Sequence, residues 1–239
     1  MDQSEDWTVD ESPDQSKGIG DNFKRPERRQ QYLSTKKVIW GREKSSSWAP
    51  DADAVGGYVP AGQHAGCVYC GFFGYGQEVD NLNDHHADVL PENLASVDHL
   101  CHAWHHLGEI AAGQGLMVFV PGLAPADVVH LQRTIFVALQ TGTSEQREDA
   151  KALLNWLASH NQYVKDAWGT DQPQHFGLAM TANNVDPLAR QYGPLRDVAL
   201  VLNPGAVSEL VSRWAQDSYR SIPRDEWNTR AQEVLRAAI

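Results

Sequence analysis

The sequence predicts an α+β fold: a small metal-binding core built on short strands, with a mainly helical region added to it. Three observations carry this. All three cysteines, Cys67, Cys70 and Cys101, stand close together in a stretch that also holds His85, His86, His99, His102, His105 and His106, six of the ten histidines. A compact apolar run, Leu116-Met-Val-Phe-Val120, is stopped by Pro121, as a strand would be. From Pro125 onward, apolar residues recur at helical spacing. The chain divides into an acidic tail (1–23), a basic segment and loop (24–66), the metal-binding core (67–121) and the helical region (122–239).

Bulk properties narrow the function. At 239 residues the chain is long enough to bury a sizeable core, and about a fifth of it is charged. A formal net charge of −11 disfavours direct nucleic-acid binding. A local basic run, Lys24, Arg25, Arg28, Arg29, Lys36 and Lys37, works the other way. An odd number of cysteines at this spacing is not a secreted disulfide framework. The acidic start, Met1-Asp-Gln-Ser-Glu-Asp6, is no signal peptide, and no apolar run is long enough to span a bilayer. The expectation is a cytoplasmic protein that meets a membrane only through a partner.

The elements follow in order. Residues 1–23 carry Lys17 as their one cation among many acids, and they hold too little apolar surface to offset ordering entropy. The basic segment has apolar groups at Tyr32, Leu33, Val38, Ile39 and Trp40, suited to a short helix or strand. Residues 45–66, rich in Ser, Gly, Pro and Asp, read as a loop. Beyond the core, Pro125 suits the first turn of a helix whose stripe is Val128, Leu131, Ile135 and Leu139, ended by Gly142. Ser144 can cap a second helix, with Glu145 and Glu148 favourable near its positive end, and the two helices pair as a hairpin. Gly169–Gln174 reads as loop, 197–202 as a short strand, and 204–219 and 224–239 as helices.

Cys67-x-x-Cys70-Gly71 is the pattern of a zinc knuckle. Two thiolates in a tight turn can share a tetrahedral ion, and the glycine frees the chain to turn away. Cys101 is the third ligand. The fourth is open between Asp98, three residues before Cys101, His105 one turn after it, and His102. With Cys67, Cys70, Asp98 and Cys101 as the preferred set, the shell is closed and the zinc structural rather than catalytic.

The stretch Glu78-Val-Asp-Asn81 … Pro91-Glu-Asn-Leu94 … Asp98-His-Leu-Cys101-His102, opened by the knuckle, resembles the treble-clef (ββα-metal) core of HNH endonucleases. The resemblance implies a hairpin after the knuckle, a general-base histidine at the end of its first strand, and a helix with zinc and metal ligands. Here the base position falls at Asn81, whose amide cannot accept a proton near neutral pH. Over residues 67–140 the chain also resembles the DotN (IcmJ) family of type IVB secretion and conjugation systems, through Cys67-Val-Tyr-Cys-Gly-Phe72, Val79-Asp-Asn-Leu82 and Val118-Phe-Val-Pro121. That likeness implies a non-catalytic, zinc-stabilised adaptor. Its partners would be the C-terminal tail of a coupling ATPase of the DotL type and other coupling-complex subunits. The competing expectation is an HNH-type metal-dependent DNA endonuclease using His85 or His86 as base and His102 as metal ligand. A zinc-finger DNA reader is a third class.

Overall fold

The computed structural model describes residues 28–35, 66–83, 90–183, 193, 195–220, 224–229, 232 and 236. The acidic tail, nearly all of the 45–66 loop, His85, His86 and half of the helix expected over 224–239 lie outside these residues.

The metal-binding region is built on a two-stranded antiparallel sheet. Strand β1 (Gln77–Asn81) pairs with β2 (Leu94–Asp98) in a register that sets Gln77 opposite Asp98 and Asn81 opposite Leu94. The Pro91–Asn93 turn leads into β2, and its buried Asn93 fastens the far side of the hairpin loop. The Asn93 carbonyl accepts from the Leu82 N–H at 2.8 Å, and its side-chain Oδ1 accepts from the Asn83 N–H at 3.0 Å. β2 runs directly into helix α1 (His99–Ala103), because the Asp98 side chain accepts the Leu100 N–H and caps the first turn.

The knuckle folds back against this hairpin. Cys67 N–H donates to Phe72 O, Gly71 N–H to Cys67 O, and Val68 N–H to Ser96 O on β2. Gly71 sits at φ +76°, where side-chain-bearing residues are strained, and a Cβ there would fall 2.7 Å from Arg28 Nη2. The described part of the basic segment, residues 28–35, packs on the same core as extended chain with no helix among these residues, while Val38, Ile39 and Trp40 lie outside the described residues. Arg29 N–H donates to Val68 O, Ser34 N–H to Trp104 O, and Thr35 makes an isolated bridge with His106. Leu33 is buried and Tyr32 stacks on the His105 ring.

A second antiparallel pair joins distant parts of the chain. β3 (Gly115–Phe119) pairs with β4 (Val198–Leu202), Gly115 opposite Leu202. β4, Val-Ala-Leu-Val-Leu, is buried at every position, which accounts for its unbroken apolar sequence. Helix α2 (Pro125–Thr141) begins at the expected proline. It forms a hairpin with α3 (Ser144–Ser159), whose cap is Thr143 rather than the expected Ser144, because Thr143 and Gln146 bond each other's backbone N–H in a capping box. α4 (Asn161–Trp168), α5 (Pro173–Asn183) and α6 (Ser208–Gln216) complete the helical region. α4 and α5 are additions to the sequence reading. α5 begins at Pro173, inside the segment read as loop, and it is not obvious from pattern because its apolar residues do not segregate to one face. It packs through Gly177, where a Cβ would meet the Gly108 backbone at 2.5 Å.

Two adjacent residues of α2 join the halves. Gln132 spans the β4 backbone, donating Nε2–H to Leu200 O and accepting the Leu202 N–H, each at 2.9 Å. Arg133 turns the other way, into the metal-binding core. Replacing Gln132 with leucine leaves two buried β4 backbone groups without partners. Urea denaturation is expected to show a loss of about 1–3 kcal/mol, and a midpoint equal to wild type would refute this role for the amide.

Candidate metal centres

The first centre is the sulfur cluster. Cys67 and Cys70 come from the knuckle and Cys101 from the third position of α1, all buried and free of disulfides. Their Sγ atoms lie within 4.8 Å of one another. Hydrogen bonds from the Cys101 and Cys70 thiols hold the Cys67 thiol far below its usual range, outweighing burial, and the Asp98 N–H adds to this. Cys70 moves upward: the Cys101 contact would lower it, but the Cys67 contact and burial outweigh that. Burial and the same two neighbours push Cys101 well up. The three thiols thus pull one another apart, Cys67 toward the thiolate and Cys70 and Cys101 toward the neutral thiol. Three soft sulfurs converging in a buried space fit a thiophilic divalent ion such as zinc, whose charge would let all three ionise.

Asp98 sits beside this cluster. Its Oδ2 accepts from Arg133 Nη2 at 2.7 Å and from the Leu100 N–H at 3.2 Å, while Oδ1 is buried and has no hydrogen-bond partner among the described residues. Burial pushes this carboxyl above its ordinary value, against the pull of Arg133. Burial likewise works against the guanidinium charge, but Asp98 holds Arg133 protonated. The contact is a buried ion pair. Arg133 also donates to Cys70 Sγ at 3.8 Å and lies over the Phe72 ring, 3.7 Å from its centroid. The rival fourth ligands, His102 and His105, face a different group of residues.

That group is a second centre: Asp80, His102 and His106, all buried, with ligand atoms within 4.8 Å of one another. His102 Nε2 stands 3.1 Å from His106 Nε2 and 3.6 Å from Asp80 Oδ1. Two imidazole nitrogens so close need either a shared proton or a cation between them, and one carboxylate oxygen beside two such nitrogens is a donor set for a divalent metal. Strand alternation puts Glu78 and Asp80 on the face of β1 that meets α1. The spacing His102-x-x-x-His106 brings the two rings together at the end of α1 and the turn after it.

Each ligand has an outer partner. Glu78 accepts from His102 Nδ1 at 2.6 Å through one oxygen and from His99 Nδ1 at 2.7 Å through the other. Glu109 Oε1 lies 3.3 Å from His106 Nδ1. Asp80 Oδ2 is held by His105 Nδ1 at 2.9 Å and by the Tyr69 hydroxyl at 3.3 Å. Burial would raise Glu78, but the hydrogen bonds from His102 and His99 prevail and hold it at about 2. Burial would lower His99, but Glu78 raises it.

Sequence reading named Cys67, Cys70, Cys101 and Asp98 together, and the structure gathers the three sulfurs with Asp98 alongside. His102 belongs to the second centre instead. Asp80, His106 and Glu78 were missed as functional residues. The available signal was an acidic pair two apart on a strand, Glu78-x-Asp80, followed by histidines four apart. No known protein family matches this chain, and no curated protein is similar to it. The structure therefore supports an α+β fold with small antiparallel sheets and two clusters of potential metal ligands, consistent with a zinc-binding module. Among the described residues no helix is long and apolar enough to cross a membrane.

Two outcomes are expected. Purified protein should carry one zinc at the sulfur cluster, measured by elemental analysis. Cys101→Ser should lose that zinc and melt earlier, and zinc loading of apo-protein near pH 7 should release protons from the thiols that burial holds neutral. An unchanged melting curve after zinc removal would refute the structural role. The second concerns pH. Glu78 is depressed below its unfolded value of 4.5, so its pairing stabilises above that and is lost as pH falls toward about 2. His99 is raised above 6.5, so its share is complete below 6.5 and fades as pH climbs through the raised value. In chelator-treated protein, the melting-temperature gap between wild type and His99→Gln should be widest between pH 4.5 and 6.5.

Proposed function

We propose that the chain is a metal-dependent phosphodiesterase of the HNH-endonuclease type, with a structural zinc at the sulfur cluster and a catalytic divalent ion at Asp80, His102 and His106. The observation that carries this is the second cluster itself. The sulfur cluster makes no use of Asp80, His102 or His106, and a separate, convergent N₂O donor set next to it suits a reactive metal. When bound, a divalent ion there would polarise a phosphoryl oxygen and acidify a water. The chain's own residues do the rest. Asp80 is fixed by His105 and Tyr69 so that Oδ1 is the oxygen nearest His102. Glu78 and Glu109 orient the two rings. His85 or His86, both after Asn83 in sequence and outside the described residues, is the proposed base.

Substrate attraction has a local source despite the overall acidity. The exposed Arg28 and Arg29 stand on the segment whose Tyr32 stacks on His105 and whose Thr35 pairs with His106. The two arginines stand beside the knuckle, Arg28 at Gly71 and Arg29 bonded through its N–H to Val68 O, so their charge borders the sulfur cluster on the same segment that reaches the second centre.

A second reading keeps specific support. Asn81 stands where the HNH frame has its base, and an amide cannot serve. Phe119, Trp156, His160 and Tyr163 also line a groove of about 620 Å³ with Trp156 and Tyr163 about half exposed, a surface suited to a partner. On this reading the metal sites are scaffold, and the protein is an adaptor of the DotN kind that holds a coupling-ATPase tail.

Incubation of the zinc-loaded protein with supercoiled plasmid and Mn²⁺, Co²⁺ or Mg²⁺ decides between them. Nicking should vanish in His102→Ala and Asp80→Asn and fall by roughly 100-fold or more when the base, His85 or His86, is changed to alanine. Cleavage that survives His102→Ala would sink the nuclease reading. So would an inert protein that binds the ATPase tail.

A further inference from the structure

The outer partners of the second centre go beyond its ligand set. Glu78 stands on β1, two residues before Asp80, and its carboxylate spans two imidazoles at 2.7 and 2.6 Å. An ionised carboxylate can only accept hydrogen bonds, so the short contact to His102 requires a proton on Nδ1. His102 then offers Nε2 to whatever lies inside the cluster. Glu109, in the turn after His106, imposes the same choice on that ring through a longer contact of 3.3 Å. The two carboxylates differ in setting. Glu78 is 18% exposed and fastened on its far side by His99, whereas Glu109 is 33% exposed with a reach of only three residues. Both ligand histidines thus have a carboxylate behind Nδ1, and both present Nε2 toward Asp80 Oδ1.

Building on the reading of Asp80, His102 and His106 as a divalent-metal site, we infer that Glu78 and Glu109 are positioning residues that lock His102 and His106 as Nε2 ligands, with Glu78 the dominant one. The carboxylate behind each ring selects the tautomer, fixes the ring plane and makes the ligand nitrogen more basic. Glu78 also makes α1 sensitive to the strand. It ties His102 to the same β1 face that carries Asp80, so the three ligand atoms keep their spacing through one strand–helix contact. Removing the carboxylate frees the His102 ring to change tautomer or turn, and the site loses a ligand while the sulfur cluster keeps its own.

The test uses full-length protein whose sulfur cluster is already filled with zinc. Cobalt(II) is then titrated and followed by its visible absorption. An ion held by nitrogen and oxygen lacks the intense near-ultraviolet sulfur charge-transfer bands, which distinguishes it from cobalt displacing zinc. Wild type should take up one cobalt at this site. Glu78→Gln should bind it roughly 10–100-fold more weakly and Glu109→Gln should be less severely affected, with the zinc content of the sulfur cluster unchanged in both. In parallel, long-range nitrogen–proton correlation spectra of the cobalt-free protein should show His102 Nδ1 protonated in wild type, whichever ring holds the proton between the two Nε2 atoms, and only partly so in Glu78→Gln. Should Glu78→Gln fail to fold, Glu109→Gln with the His106 tautomer makes the same test from the other side. Equal cobalt affinity and an unchanged tautomer in the variants would overturn the inference while leaving the metal site standing. A wild-type protein that takes up no cobalt beyond its zinc would overturn the site and the inference together.

Discussion

The contact on which the metal-binding half depends is the buried ion pair between Asp98 and Arg133. Taking both charges out of water is costly, and such a pair is weak evidence for net stability. Its value here is placement. Asp98 ends β2, caps α1 and offers its N–H to Cys67, so one residue sets where the strand stops, where the helix starts and how the knuckle approaches it. Arg133 supplies the countercharge from a helix that is remote in sequence. If the pair were absent, a buried carboxylate would stand beside three sulfurs that already hold negative charge, and the knuckle and helix would repel one another at their point of contact.

Once α1 is placed, both centres follow from it. Cys101 and His102 are consecutive, so their side chains diverge by about 100° around the helix axis. One enters the sulfur cluster and the other the Asp80 cluster. The helix is barely more than a turn long, which leaves it little independent stability. It is held by what surrounds it: the cap at Asp98, Gln31 donating to the Cys101 carbonyl, and the Glu78 contacts to His99 and His102. The basic segment, extended rather than helical, contributes to the same wall through Tyr32 and Thr35. Metal in either cluster would stiffen the element that carries the other.

What the sequence made legible was what has a local signature. The cysteine pair, the proline at the start of α2, the start of α3 to within one residue and the all-apolar β4 each announce themselves through neighbours in sequence. The second metal cluster was harder. Asp80 comes from a strand and His102 and His106 from a helix end beyond the hairpin, so their meeting depends on the β1–β2 register, which no local pattern states. The histidines drew notice as a group, but attention went to Asn81, next to Asp80, because a resemblance assigned the chemistry there. α5 escaped because its apolar residues are spread around the helix and its docking rests on Gly177 meeting Gly108. Arg133 could be read only as a polar residue in an apolar stripe. Its partner was decided by tertiary packing.

The adjacency of Gln132 and Arg133 on α2 bears on how such a protein can change over time. Many small zinc-binding units travel between proteins as self-sufficient pieces, because the ion alone holds them together. This one is not detachable in that sense. Its cysteine half-site borrows a countercharge from a helix whose neighbouring residue is bonded into a strand some seventy positions later. A transfer of residues 67–121 to another chain would leave behind the cation that its buried aspartate requires. The helical region is therefore no appendage to a portable finger, and the two would have to be inherited together.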